Sequence, residues 1–247
     1  MVAFLKRIYK LLLYGYKGSS KQYINYLRKR GVVIGQNVTF YEPNTNYVDV
    51  QKPYQIVIGN NVEITRGVTI IAHDYAWSVI KQISGEIIGS RKGISIGNNV
   101  FIGVNSIILQ GVTIGDNVII GANTLVNKDV SSGSVVAGNP IRKISSLEQY
   151  IMKRKTNYLQ DAKDLFKNYY YWKKEIPSKI IFDEFFWLFE KRDIEGLPET
   201  YIEKLKLTGN YEDTLHQFVN SKPLFNGYDE FVKYCMREIN CERFTIS

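Results

Sequence analysis

Aliphatic residues recur every six positions through the middle of the chain. Ile96, Ile102, Ile108, Ile114, Ile120 and Val126 follow one another at this spacing, and all are β-branched. Four residues after each stands Val100, Ser106, Val112, Val118, Thr124 or Val130, small or β-branched every time. Glycine follows the aliphatic at Gly97, Gly103, Gly115 and Gly121. Ile58, Ile64 and Ile70 hold the same frame upstream with Gly59, Val62 and Val68, and Ile34, Gly35, Val38 and Phe40 begin another block. A period of six suits neither an α-helix nor a simple amphipathic strand. It predicts short β segments joined by tight turns, with the aliphatic pointing inward and Gly or Asn taking the positive φ of the turns. Stacked coils then bury a core that no single repeat buries alone. Residues 93–115 carry no charged side chain and are long enough to span a bilayer. Their Asn98, Asn99, Asn105, Ser106 and Gln110, with regularly spaced glycines, place them in the repeat instead.

The frame breaks once. Ile70 and Ile96 are not a multiple of six apart, so residues 74–93, DYAWSVIKQISGEIIGSRKG, contain a loop that leaves the coil. Such excursions often form a binding face. After Ile144 the composition changes: residues 145–247 hold 20 of the 33 aromatics. Segments 147–158 and 161–173 show helical spacing of apolar residues, and Pro177, Pro198 and Pro223 separate segments. A helical C-terminal extension is expected, with the 169–172 and 185–189 aromatic clusters in its core. Three parts follow: a basic N-terminal helical segment (1–30), a β-solenoid domain (31–144) and the helical extension (145–247).

Charge sharpens this division. The net charge is +8. Lys6, Arg7, Lys10, Lys17, Lys21, Arg28, Lys29 and Arg30 account for all of it, with no acid among residues 1–30. The rest of the chain is neutral, which argues against a nucleic-acid-binding domain. Phe4, Ile8, Leu11 and Leu12 follow helical spacing in this basic leader. It reads either as a cap on the open end of the solenoid or as an interfacial helix making peripheral contact with anionic lipid. No signal peptide is evident. Cys235 and Cys241 form no CxxC motif, which suits free thiols in a reducing cytoplasm.

Residues 94–144, ISIGNNVFIGVNSIILQGVTIGDNVIIGANTLVNKDVSSGSVVAGNPIRKI, closely resemble the hexapeptide-repeat acyltransferases, particularly the maltose/galactoside O-acetyltransferase branch. The resemblance extends over roughly 31–144. It implies a mainly β chain built on a left-handed parallel β-helix, three hexads per coil, assembled as a homotrimer, with acetyl-CoA bound between subunits beside the last coils. A γ-carbonic-anhydrase-type enzyme shares that fold but needs three His ligands; this chain has only His73 and His216, so no metal site is expected.

The resemblance also assigns residues. His73, where coil gives way to loop, stands in the place of the general base, and imidazole suits proton transfer near neutral pH. Its neighbour Asp74 points to the opposite side on extended backbone, so a backbone carbonyl or a carboxylate from another coil is expected to orient the ring. On the donor side Phe101 stands where the family has Trp and flanks the pantetheine arm. Amides around Gly103 and Val104 receive the thioester oxygen. Ala122 lies against the pantetheine, Asn127 and Lys128 match a Thr-Lys pair near the cofactor, and Arg142, with Lys143 as a substitute for a second arginine, meets the CoA phosphates. On the acceptor side Asn44 and Asp49 resemble an Asn and an Asp that bind sugar hydroxyls, and Trp77, with Tyr75, is placed to stack on a sugar face.

The expected activity is a cytoplasmic acetyl-CoA-dependent O-acetyltransferase acting on a saccharide hydroxyl of a surface-polysaccharide or glycoconjugate precursor. Two alternatives stand beside it. One is N-acetylation of an amino sugar on the same fold; the other is a non-catalytic solenoid scaffold at a membrane surface.

Overall fold

A computed structural model describes residue 9 and residues 12–245, with side chains through residue 239. Phe4, Ile8 and Leu11 of the basic leader lie outside the described residues. The chain divides into two compact units, Met1–Ile151 and Met152–Ser247.

In the first unit the six-residue period becomes three parallel sheets visited in rotation. The first sheet contains β1 (Val33–Ile34), β4 (Ile56–Ile58), β7 (Ile94–Ile96) and β10 (Thr113–Ile114). The second contains β2 (Thr39–Phe40), β5 (Val62–Ile64), β8 (Val100–Ile102), β11 (Val118–Ile120) and β13 (Ser134–Ala137). The third contains β3 (Tyr47–Val48), β6 (Thr69–Ile70), β9 (Ile107–Ile108) and β12 (Leu125–Val126). A last strand, β14 (Arg142–Ser146), turns back antiparallel along β13. Each coil thus adds one strand to each face. Residues eighteen apart stack, as with Ile96 on Ile114, Ile102 on Ile120 and Ile108 on Val126.

The inward positions are those the repeat marks. Ile34, Phe40, Val48, Ile58, Ile64, Ile70, Ile96, Ile102, Ile108, Ile114, Ile120 and Val126 are all buried, and from Ile96 onward so are the residues four later. Two of the latter are polar and remain satisfied: Ser106 Oγ donates to Gly121 O at 2.9 Å and Thr124 Oγ1 to the same oxygen at 2.7 Å. Such pairing removes most of the penalty of burying a hydroxyl.

The turns are made by Asn at positive φ: Asn37, Asn61, Asn99, Asn105, Asn117 and Asn123, with φ between 53° and 58°. Asn is among the few side chains that tolerate this region. A second column joins the same corner of successive coils. Asn60 Oδ1 accepts from Gln36 N, Asn98 Oδ1 from Asn60 N, Asp116 Oδ1 from Asn98 N and Ser132 Oγ from Asp116 N, at 2.6–3.0 Å. Glycine is required just before this corner by close approach. A Cβ at Gly59 would sit 2.5 Å from Gly97 O and 2.7 Å from Gly97 C.

The coil starts under a helix. Ser19 accepts from Gln22 N and caps α1 (Ser20–Arg30), and Gly31 ends it at φ 106°. Tyr23, Ile24 and Leu27 of α1 join the same core as Val32, Ile34, Val38 and Phe40, with Tyr23 edge-on to Phe40 at 5.0 Å. Residues 20–30 of the basic leader therefore cover the first coil. Leu12, further upstream, is exposed.

The 74–93 excursion contains a two-turn helix, α2 (Trp77–Ser84), with no buried residue. A β-bridge between His73 and Arg91 closes its base. Among the described residues no helix is long and apolar enough to cross a membrane; residues 93–115 are coil strands.

Segments 147–158 and 161–173 merge into one helix, α3 (Leu147–Lys173). It is followed by α4 (Glu199–Lys206), α5 (Tyr211–Asn220) and α6 (Tyr228–Thr245), with short 3-10 turns between. The second unit has its own core of Phe166, Phe182, Phe186, Phe189, Tyr201, Phe218 and Phe231. The expected core cluster at 185–189 is there. Of the 169–172 cluster Tyr170 packs against this core, whereas Trp172 is 73% exposed and Tyr171 38%. They fall on α3 faces turned away from that core. Cys235 is buried, which pushes its thiol up to about 12.

Replacing Gly59 with Ala is expected to lower stability by about 1–3 kcal/mol, the range for overpacking. Ile102→Ala, which empties part of the coil interior, should cost about 2–5 kcal/mol. Denaturant unfolding of the two variants checks both, and a Gly59→Ala protein as stable as the parent would contradict the close approach.

Candidate active site

Sheet register brings together residues far apart in sequence. Val48 of β3 pairs with Ile70 of β6. Asp49 N–H then donates to Ile70 O at 2.9 Å, which sets the Asp49 side chain beside Ala72 and His73. Asp49 is buried, with 1% of its surface exposed. Its Oδ1 accepts from Gln51 N–H at 2.9 Å, and its Oδ2 accepts from Ala72 N–H at 3.3 Å. The same Oδ2 makes a short contact with His73 Nδ1. Burial pushes the Asp49 carboxyl up, but the hydrogen bonds from Gln51 and His73, the imidazole's charge and the Ala72 N–H outweigh it and hold the group below its ordinary value. An ionised carboxylate accepts only, so the proton lies on Nδ1.

The far side of the ring agrees. His73 Nε2 lies 3.2 Å from Gln51 Nε2. Arg91 Nη2 donates to Gln51 Oε1 at 3.0 Å, which fixes the amide with its NH2 toward the imidazole. Nε2 is therefore an acceptor with its lone pair presented outward. This is the state a general base needs. Tyr75 stands edge-on to the ring at 5.4 Å, and Trp77 is tilted against Tyr75 at 5.9 Å. Asp74 takes no part. Its Oδ1 accepts from Ala76 N–H at 3.0 Å and its Oδ2 from Gln110 Nε2 at 2.7 Å.

The ring's expected partner from another coil is thus Asp49. Its oxygens are engaged by His73 and two backbone amides, and it is enclosed. Asn44 is exposed in the 3-10 turn Pro43–Thr45 and hydrogen-bonds neither His73 nor Asp49. Its neighbour Asn46 is buried and ties Val68 N–H at 2.9 Å to Tyr41 O at 3.0 Å. Trp77 is half-buried at the start of α2 and reaches the site through Tyr75. Gln51 and Arg91 are site residues that the repeat pattern does not mark.

On the donor side Phe101 is on the outward face of β8, 42% exposed, between Glu63 and Ile119. Gly103 and Val104 follow at a corner, and Ala122 follows β11 at the same corner one coil later. The pair of amides expected to receive an oxyanion is reduced to one. Gly103 N–H donates to Ile120 O at 2.8 Å, as Gly35, Gly59, Gly97, Gly115 and Gly121 donate to their next coils. Val104 N–H makes no hydrogen bond among the described residues, while Val104 O accepts from Asn123 N–H at 2.7 Å. Ala122, Asn127 and Lys128 are exposed. Arg142 and Lys143 are exposed on β14, opposite Ala137 and Val136. Among the described residues no group of three or more His, Cys, Asp or Glu could hold a metal ion.

The family model for the bacterial transferase hexapeptide (six repeats) matches residues 93–128. Protein CapG of Staphylococcus aureus is 43% identical over 150 residues, 61% of this chain and 83% of that protein. The chain belongs to the bacterial hexapeptide-repeat transferase family. The membership expected from residues 94–144 is thereby met. Two solved structures are similar to parts of the chain. A maltose O-acetyltransferase from Clostridium difficile 630 is 28% identical, over 59% of this chain and 88% of that one, with a TM-score of 0.40. A galactoside acetyltransferase in complex with coenzyme A is 28% identical, over 57% of this chain and 80% of that one, with a TM-score of 0.41.

The depressed Asp49 carboxyl has a direct consequence. Its ionised form stabilises the fold above the ordinary value of about 3.9, and that contribution is lost as pH falls through the lower folded value. Carboxyl carbon NMR should find Asp49 titrating below about 3.9, and Asp49→Asn should unfold more readily than the parent at neutral pH.

Proposed function

We propose that this protein is an acetyl-CoA-dependent O-acetyltransferase whose acceptor is a saccharide hydroxyl, acting in the cytoplasm on a surface-polysaccharide or glycoconjugate precursor. The coil is read as left-handed and the working form as a homotrimer, in line with the resemblance of residues 31–144. The observation that carries the reading is the Asp49–His73 pair, with the ring proton on Nδ1 and Nε2 presented as a base. A scaffold has no use for a buried, ionised carboxylate aimed at an imidazole.

The residues divide the work in order. His73 Nε2 removes the acceptor hydroxyl's proton as its oxygen attacks the thioester carbonyl carbon. The imidazolium is held against Asp49, whose negative charge stabilises it. Val104 N–H is offered to the carbonyl oxygen as charge develops there. When the carbon–sulfur bond breaks, His73 returns the proton to the departing thiolate, and the ring regains its resting tautomer. No covalent enzyme intermediate is needed. Phe101 and Ala122 flank the pantetheine arm. Lys128, Arg142 and Lys143, with Asn127 nearby, attract the phosphates as exposed cations. Trp77, held by Tyr75, offers a face for a sugar ring, and Asn44 a further hydrogen bond.

Incubation with acetyl-CoA and a panel of neutral and amino sugars, read by thiol release, tests the reading. Turnover confined to amines would favour N-acetylation instead. His73→Ala should reduce kcat by about 10²–10⁴-fold, the usual contribution of a general base, and leave CoA binding measurable by calorimetry. Full turnover in that variant would sink the mechanism. Arg142→Ala should raise KM for acetyl-CoA several-fold with kcat nearly unchanged.

A further inference from the structure

The ring of His73 is constrained twice, and the second constraint comes from residues outside the chemistry above. Gln51 reaches both members of the pair. Its backbone N–H donates to Asp49 Oδ1 at 2.9 Å, and its side-chain NH2 faces His73 Nε2 at 3.2 Å. A carboxamide can turn over and offer its oxygen instead. Arg91 prevents this, because its guanidinium has only donors and holds Gln51 Oε1 at 3.0 Å. Arg91 is itself fixed at the base of the 74–93 excursion, where it bridges His73.

We propose that Gln51, aimed by Arg91, is the positioning residue that keeps His73 Nε2 an open acceptor, occupying in the resting site the place that the acceptor hydroxyl takes. Both groups donate to the same lone pair, so the acceptor displaces the amide without any change of ring tautomer. Gln51 can then turn its N–H onto the acceptor's oxygens while Arg91 keeps its carbonyl. The inference rests on reading His73 as the base.

A donor at Nε2 opposes protonation there. The other charged and titratable groups around the ring are Asp49 on Nδ1, Arg91 through Gln51, Tyr75 at its edge, Asp74 next in the chain, and Tyr47, which interacts with Asp49 and Tyr75. When the Gln51 side chain is changed Asp49 keeps the backbone N–H of residue 51, whereas Arg91 loses its Oε1 partner.

The chain has only two histidines, and His216→Gln leaves His73 alone in a ring-nitrogen NMR titration that needs no substrate. The parent should show the Nδ1–H tautomer. Gln51→Ala, which removes a donor to the unprotonated Nε2, should move the His73 titration up relative to the parent. Gln51→Glu, which puts an acceptor where a donor stood, should move it further. In the acetyl-transfer assay the acid limb of kcat/KM, which reports free enzyme, should follow these shifts, whereas the limb of kcat should stay put in Gln51→Ala because the bound acceptor has already displaced the amide. A merely structural role would lower activity and leave the titration where it was. An Nε2–H resting tautomer, or a titration unmoved in Gln51→Ala, overturns the inference. Shifted titrations without acetyl transfer to any acceptor would leave it standing and remove the proposed function; His73-dependent transfer with an unmoved titration would do the reverse.

Discussion

Backbone hydrogen bonds between successive coils are the constraint on which the first unit depends. They run in three columns, one per face, and they set the axial spacing so tightly that Gly59 and Gly97 have no room for a methyl group. That spacing forces positive φ at the Asn corners and aligns the Asn60–Asn98–Asp116–Ser132 column. It also decides which residues of different coils become neighbours. The Asp49–His73 contact is a product of this register: with Val48 on Ile70, the next residues meet.

Within that frame the site is electrostatically simple. A carboxylate is enclosed in the wall of the coil and compensated by two backbone amides and one imidazole. Removing any donor would leave a buried charge short of partners, which is costly in a low-dielectric setting. The histidine is thereby held by the same hydrogen-bond logic that holds the coil, with Nδ1 on Asp49 and Nε2 facing the Gln51 amide.

The coil itself was legible because most inward positions are aliphatics in a fixed frame and most positive-φ corners are Gly or Asn. The 74–93 excursion was legible for the same reason, since it interrupts that frame, whereas His73 stood out through the family resemblance. Asp49 was visible as a residue but not in its role. The early coils do not keep the eighteen-residue offset: Val48 lies twenty-two before Ile70, with the Pro43–Thr45 and Pro53–Gln55 turns inserted nearby. Pairing the aliphatics coil by coil would have set Asp49 beside residues 71–73. Gly103 is the opposite case. The repeat already shows it equivalent to Gly97 and Gly115, whose amides serve the ladder, so its N–H was committed by the fold. Gln51 and Arg91 break no pattern at all, and only the closed base of the excursion brings them to the ring. In the second unit Trp172 carried a misleading signal, because an aromatic run on a long helix alternates between faces and cannot all turn inward.

The bridge between His73 and Arg91 returns the chain to the coil at the point where it left. Everything between these two residues is therefore a closed side branch, and β7 continues on β4 as if the branch were absent. Residues 75–90 contribute no strand to the three sheets, and Tyr75 among them meets the edge of the His73 ring. The fold thus keeps the Asp49–His73 pair within the stacked coils and sets the intervening segment apart as an appendage that the stack does not need for its continuity.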